Sequence, residues 1–268
     1  MNITNKTIVV TGAGNGMGRE ITLLLLKKGA RVAAVDLKLD FLEETKQLAG
    51  NAAERLSLHA IDISDQQAVE ALPAAVLSVH THVDAVMNVA GIIQPFVKVA
   101  QLDMSTINRV MNVNFYGTLY MVKAFLPYLM QRPQAHILNV SSMGGFLPVP
   151  GQSIYGASKA AVKLFTEGLS SELANTNIGV SIVFPGAIGT NITQNSGVKV
   201  PGMSDSKAAS EYKVMSAVKA SEKIVEAMEK NIFRVMVGSD ASFMDKLYRL
   251  MPVFAKNFIA KKMASLLK

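Results

Sequence analysis

The stretch TIVVTGAGNGMGREITLLLLKK, Thr7 to Lys28, decides the fold. Thr7 to Thr11 is a short β-branched run of the kind that fills a buried strand. Gly12, Gly14, Gly16 and Gly18 follow at once, and Arg19 to Lys28 then places Ile21, Leu24 and Leu25 at helical spacing. A glycine-rich turn between strand and helix lets the main chain approach a pyrophosphate, whose charge the helix N-terminus meets. A glycine cluster alone is equally well a turn that binds nothing. Here the strand before it and the helix after it supply the context that the binding reading requires.

The next strand, Arg31 to Val35, ends in Asp36. A carboxylate at the end of a second strand, about 20 residues beyond the first glycine, can accept both adenosine ribose hydroxyls and repels a 2′-phosphate. NAD is therefore expected ahead of NADP. Asn15 agrees, since the turn holds no basic residue to receive a phosphate, whereas Lys38 points the other way.

Strands and helices then alternate. Asp40 to Leu48 predicts a helix, Leu56 to Ala60 a strand, Asp65 to Val79 a helix and Val83 to Met87 a fourth strand. Met104 to Met130 predicts a long helix, Ala135 to Ser141 a fifth strand, and Ser153 to Asn175 another helix. Ile178 to Phe184 and Phe233 to Val237 complete seven strands. Such βαβ repetition predicts an α/β, Rossmann-type, doubly wound parallel sheet of seven strands with helices on both faces. Asp62, with Ile63 beside it, follows the third strand, where it either bonds an adenine edge or forms a helix-capping turn. Asn88-Val-Ala90-Gly91 follows the fourth strand and either leaves room for a flat ligand or simply turns. Asn114 and Gly117 interrupt the long helix at a propensity cost, so either a water-holding kink or packing against the sheet is expected there.

Residues 1–240 are expected to form one domain, with 191–215 a polar, weakly periodic lid over a site. A C-terminal extension, 241–268, follows.

Tyr155 and Lys159 are four residues apart on the predicted helix and share a face. A free tyrosine, with a pKa near ~10, is a poor base at neutral pH, and lowering it to about 7 takes roughly 4 kcal/mol. A cation at about 4 Å supplies gross attraction of that order at an effective dielectric of about 20. Chance gives about 0.4 such pairs in a chain of this composition. The pair gains weight from Ser142, just after the apolar run Ile137 to Val140, and from the dinucleotide signals upstream.

The bulk numbers exclude several classes. With 268 residues, 50% hydrophobic and 18% charged, the chain can bury a substantial core. Having no cysteine, it has no disulfide or thiolate chemistry, and its four scattered histidines suggest no metal site. The start, Met1 to Ile8, lacks a signal-peptide pattern, and the charge-free stretches are broken by Pro, Gly, Ser and Asn. A soluble, cytoplasmic protein whose mature chain begins at Met1 is expected. Of the net charge of +7, Lys246, Arg249, Lys256, Lys261, Lys262 and Lys268 supply +6 after the last acid, Asp245. The rest is near neutral, so nucleic acid is not an expected partner. Ser142 and Ser153 lack the Gly-x-Ser-x-Gly elbow of a hydrolase.

From Thr7 to about Val237 the sequence resembles the short-chain dehydrogenase/reductase family, in its Tyr-x-x-x-Lys group. Thr11, Gly12, Gly16 and Gly18 match the Thr-Gly-x-x-x-Gly-x-Gly turn, which also contains Asn15 and Met17. Asn88, Ala90 and Gly91 match the Asn-x-Ala-Gly segment, with Val89 in place of the commoner Asn. Asn114, Ser142, Tyr155 and Lys159 match the active-site set, and Pro185, Gly186 and Thr190 the segment that touches the nicotinamide. The resemblance implies that Tyr155 exchanges the alcohol proton while hydride passes to or from the nicotinamide. Ser142 would orient the substrate oxygen, Lys159 would lower the Tyr155 pKa and hold the ribose, and Asn114 would fix a relay water. It also implies a homodimer or homotetramer.

The expected reaction is NAD(P)-dependent interconversion of a secondary alcohol and a ketone. Ile92, Ile93, Pro95, Phe96, Met143, Phe146, Leu147 and Ile192 are expected to wall the site, which suggests a steroid-, retinoid- or acyl-chain-like substrate. The alternatives are a silent NAD-binding regulatory or scaffold protein, and a reductase of small hydroxyketones or 3-oxoacyl thioesters. For the basic, apolar tail three placements are open: on an anionic membrane, against a partner subunit, or over the cleft. The tail from Asp240 is expected to form one or two helices, with Pro252 interrupting.

Overall fold

The computed structural model describes residues 1–198 and 214–264. Nine strands occur among them: β1 (Thr7–Thr11), β2 (Arg31–Asp36), β3 (Leu56–Ala60), β4 (Ala85–Asn88), β5 (Ala135–Val140), β6 (Ile178–Pro185), β7 (Ile188–Gly189), β8 (Met215–Ser216) and β9 (Arg234–Val237). Seven form a parallel sheet in the order β3-β2-β1-β4-β5-β6-β9, while β7 and β8 pair separately. From β1 the chain builds outward to β2 and β3, then crosses back to β4 on the other side. That reversal opens a crevice at the carboxyl ends of β1 and β4, the place where such sheets bind ligands.

Both faces of the sheet are covered, which explains why β1 is apolar at every central position instead of alternating. Ile8 and Val10 pack with Ile21 and Leu25 of α1 (Gly16–Lys27), Leu42 of α2 (Leu39–Ala49) and Ile224 and Met228 of α8 (Ala217–Glu229). Val9, pointing the opposite way, packs in the layer formed by α3 (Gln66–His80), α5 (Gly117–Leu129) and α6 (Ser153–Glu172). The remaining helices are α4 (Met104–Met111), α7 (Ile192–Asn195), α9 (Ser239–Leu250) and α10 (Pro252–Lys262).

Four local features depart from the sequence expectations or sharpen them. Helix α1 begins at Gly16, three residues before Arg19, because the Asn15 side chain caps it and accepts from Gly16 N at 2.6 Å. The expected long helix is two α segments joined by a π-helical turn, Asn112–Tyr116. Helix α8 was not anticipated. Its Ser216 cap accepts from Lys219 N at 3.3 Å, and Ala220, Ile224 and Met228 recur at helical spacing. In the expected lid, α7 comes first and β8 last, with β7 and β8 tying its ends together. Residues 199–213 lie outside the described part.

Candidate active site

The glycine-rich turn is shaped by contacts that leave no room for side chains. Gly12 sits at φ +70°, and a Cβ there would approach Ala90 Cα at 3.0 Å. A Cβ on Gly18 would collide with the Gly12 carbonyl, so the first turn of α1 can press on β1 only without one. A Cβ on Gly14 would meet Phe41 Cβ at 2.7 Å and Asp36 Oδ2 at 2.9 Å. From outside, the Arg19 guanidinium donates to Gly14 O and forks onto Glu44, whose carboxyl it holds below the usual range. Thr45 Oγ1 donates to Ala13 O at 3.0 Å. Neither brace belongs to the glycine pattern, so neither is legible in it.

A cavity of about 680 Å³ opens above this turn. Gly12, Asn15, Gly16, Met17, Gly18, Asp36, Asp62, Ile63, Ala90, Gly91 and Thr190 line it, as do Lys38 and Arg109. The Asp36 carboxylate accepts from Gly14 N at 3.0 Å and Lys38 N at 3.2 Å, which fixes it at the cavity rim. Lys38 itself leans over the Phe41 ring at 4.8 Å. Asp62 Oδ1 accepts from Ser64 N and Oγ, so this residue forms a local turn while also facing the cavity. The cap of α3 is Asp65.

Thr11 and Asn88 lie beneath the cavity wall. Thr11 Oγ1 accepts from Val89 N and Ala90 N at 3.0 and 3.1 Å, joining the ends of β1 and β4. Asn88 Nδ2 donates to Asn139 Oδ1, whose own amide donates to Thr166. Pro185 ends β6 and Gly186 follows it, both outside the cavity lining, and the next amide, Ala187 N, donates to Asp240 at 2.7 Å.

Two pairs of side chains stand beside Gly91 and Gly144. An added Cβ on Gly91 would stand 3.0 Å from Lys159 Nζ and 3.3 Å from Asn114 Oδ1. One on Gly144 would stand 3.4 Å from the Tyr155 ring and 3.5 Å from Ser142 Oγ. Helix α6 places Tyr155 and Lys159 one turn apart, and Ser142, two residues past β5, stands beside Tyr155. Burial pushes the Tyr155 phenol above its usual range, and the Ser142 hydroxyl nearby lowers it by less. Lys159 is buried, its ammonium donates to Val140 O at 2.9 Å, and burial brings it down to about 8. At pH 7 it is still about nine-tenths protonated.

The π turn has a specific use. Asn114 is fully buried; its Oδ1 accepts from Ile92 N at 2.8 Å, and its Nδ2 donates to Ile92 O and Ser158 Oγ, both at 2.9 Å. Ser158 in turn donates to Tyr155 O. The extra residue in the helix thus swings an amide between the loop after β4 and α6, satisfying both.

Gln94 is the residue that sequence reasoning missed. Helix α6 starts after Gln152, which makes no side-chain cap of its own. Gln94, fully buried, supplies the cap from about 60 residues away. Its Oε1 accepts from Ile154 N at 2.7 Å and Tyr155 N at 3.0 Å, and its Nε2 donates to Gly151 O at 2.9 Å. A glutamine inside the apolar run Ile92 to Phe96, and Gln152 in place of Ser, Thr or Asp at the cap position before Ser153, were the available signals. Nothing in the sequence pairs the two.

Of the expected substrate wall, Ile92, Ile93, Phe96, Met143, Phe146 and Ile192 are half-buried and Pro95 is exposed. Leu147 is fully buried under Met244, Ala255 and Ile259 of the C-terminal helices, so it anchors them and is not open to a substrate. The histidines stand apart: His59 and His80 share Ser57, His82 faces Asp84, and His136 is buried against Ser181.

Residues 6–200 match the short chain dehydrogenase family. The chain is 34% identical over 266 residues to SadH of Mycobacterium tuberculosis, a protein named as an oxidoreductase, covering 97% of this chain and 95% of that one. A short chain dehydrogenase/reductase from Burkholderia phymatum, solved in complex with NAD, superposes with a TM-score of 0.83 at 25% identity, covering 93% and 96% of the two chains. A short chain dehydrogenase from Burkholderia cenocepacia, in complex with NADP, gives 0.77 at 26% identity over 98% and 99%. With the sheet order, the glycine turn and the matched length in agreement, the chain belongs to the short-chain dehydrogenase/reductase family of NAD(P)-dependent oxidoreductases.

Proposed function

We propose that this protein interconverts a secondary alcohol and a ketone on a hydrophobic substrate, with Tyr155 as the acid/base and NAD preferred over NADP. The observation that carries this reading is that Lys159 and Asn114 stand beside Gly91, which lines the same cavity as Asp36, while Tyr155, one helical turn before Lys159, stands with Ser142 beside Gly144.

The residues fit a dinucleotide. The cavity volume lies within the about 300–1,000 Å³ typical of small-molecule and cofactor sites. The main chain at Gly12, Gly14 and Gly18 is held where side chains would obstruct it, and the α1 N-terminus favours a pyrophosphate. When bound, the nicotinamide supplies the hydride acceptor or donor. Asp36 would accept ribose hydroxyls at the far end, and its carboxylate disfavours a 2′-phosphate there.

At the reacting end, Tyr155 receives the alcohol proton at its phenol oxygen, or returns it in the reverse direction. Ser142 Oγ, beside Tyr155 at Gly144, orients the substrate oxygen. Because burial raises the phenol, the Lys159 ammonium must offset desolvation before it can bring the phenol toward neutrality. Asn114 holds α6 and the loop after β4 in register, the side of the site from which a relay water would pass a proton outward. The apolar substrate class rests on half-buried Ile92, Met143, Phe146 and Ile192, behind which Leu247, Tyr248 and Met263 of the tail extend the apolar surface.

The test is turnover of secondary alcohols of increasing apolar length with NAD and NADP side by side. Turnover with NAD that rises with apolar size is expected, as is a loss of at least about a thousandfold in Tyr155→Phe with cofactor affinity retained. Undiminished turnover in Tyr155→Phe, or a strong preference for NADP, overturns the corresponding part.

A further inference from the structure

Helices α9 and α10 form a hairpin with two different apolar sides. The inner one, Met244, Ala255 and Ile259, packs on Leu147 with Met143 and Phe146 beside it. Arg234 locks its orientation, bonding Asp245 at 2.7 Å while its guanidinium lies 4.5 Å from the Phe184 ring. Among the described residues, nothing packs over the outer side. At the bend the consecutive residues Leu250, Met251, Val253 and Phe254 around Pro252 are all exposed, Leu250 at 81% and Val253 at 68%. Phe243 is also exposed, and Phe258 stacks against Phe254 at 6.2 Å between centroids.

Cations run along both helices, from the turn before the bend to the last turn of α10. Lys246, Arg249, Lys256, Lys261 and Lys262 are exposed, and Lys262 Nζ stands 5.9 Å from the Phe258 ring. The hairpin has two acids, both engaged: Asp240 accepts from Ala187 N, and Asp245 is buried against Arg234 with Arg249 at 3.8 Å. The hairpin therefore combines a protruding apolar wedge with five cations, of which Arg249 alone stands within 4 Å of an acid among the described residues.

We propose that this face docks the protein on an anionic lipid bilayer, with the Leu250–Phe254 bend entering the acyl boundary and the five cations resting on headgroup phosphates. Charge decides among possible occupants. A two-fold contact between copies would bring the same patch against itself and set five cations against five. A neutral apolar partner would leave the cations unmatched. An anionic membrane surface satisfies both the wedge and the cations. No helix among the described residues is long and apolar enough to cross a membrane, so the contact lies in the interface. This inference rests on the hairpin alone and stands whether or not the substrate assignment does.

The experiment is co-sedimentation of the full chain with phosphatidylcholine vesicles, with and without about one-third phosphatidylglycerol, at low and high salt. The expected result is at least about tenfold stronger partition onto anionic vesicles, weakened by salt, and lost in Leu250→Ser/Phe254→Ser with an unchanged melting temperature. Lys256→Glu/Lys261→Glu, which leaves the wedge intact, should lose the anionic preference. No partition of the parent protein, or equal partition of parent and variants, overturns the proposal. So does a dimer in solution that the serine variant dissociates, or saturable binding of an acidic protein with none to vesicles.

Discussion

Gln94 allows the positioning of the acid/base to be tested apart from its chemistry. In Gln94→Met the side-chain volume is nearly kept, but the Ile154 and Tyr155 amides and the Gly151 carbonyl all lose their partner. Losing a helix cap costs about 1 kcal/mol, and a buried orphaned group about 1–3 kcal/mol, so the first turn of α6 should be loosened by about 2–4 kcal/mol. Tyr155 lies in that turn. A displacement near 1 Å can lower turnover by about a hundredfold, and a tenfold or greater fall in kcat is expected. Cofactor affinity should change by less than about threefold, because Gln94 does not line the cavity. Hydrogen exchange at Ile154 and Tyr155 measures the loosening without needing a substrate. Gln94→Glu keeps the acceptor at the helix N-terminus and should restore most of the protection. Unchanged exchange and unchanged kcat in Gln94→Met would refute the argument, and equal losses in the Met and Glu variants would reduce Gln94 to a packing residue.

Other consequences can be measured directly. Gly18→Ala forces a methyl into the Gly12 carbonyl, so NAD affinity by titration should fall at least about tenfold; retained affinity means the turn is not the cofactor cradle. Asp36→Ala should raise the NADP-to-NAD ratio of kcat/KM by at least about tenfold, and an unmoved ratio removes Asp36 from specificity. The Lys159 ammonium, brought down by burial from 10.5 to about 8, costs the folded state stability that is recovered as pH rises. Between those values the unfolded chain binds more protons, so stability relative to Lys159→Met should climb by about 3 kcal/mol from pH 8 to 10.5. Denaturant melts across that window check the sign. In the reducing direction, where the ammonium and the protonated phenol are both required, kcat should decline above about pH 8; a plateau to pH 10 would show that Lys159 is not needed charged.

Much of the framework was legible because its signals are local. A buried parallel strand must be apolar throughout, as Thr7 to Thr11 is, and a turn pressed against main chain must be glycine, as at Gly12 and Gly18. Four-residue spacing on one helix put Tyr155 and Lys159 together before any coordinates did. The π turn was legible only as an anomaly: Asn114 and Gly117 looked costly, yet nothing nearby revealed that Ile92 and Ser158 were the amide's partners. Helix α8 was missed although its spacing was regular.

What the chain determined by itself was the order of its elements and the residue types that chemistry on a dinucleotide demands, since hydrophobic period, glycine φ and helix spacing act over a few residues. Only the tertiary structure decided that Gln94 caps α6, that Arg19 and Thr45 brace the glycine turn, and that the tail covers Leu147 while turning Leu250 and Phe254 outward. Apart from the Arg19 bond to Gly14, five residues away, those contacts join segments tens to about a hundred residues apart. A hydrogen bond or apolar contact at that separation depends on how the layers pack, and leaves no periodic trace in either partner's own sequence.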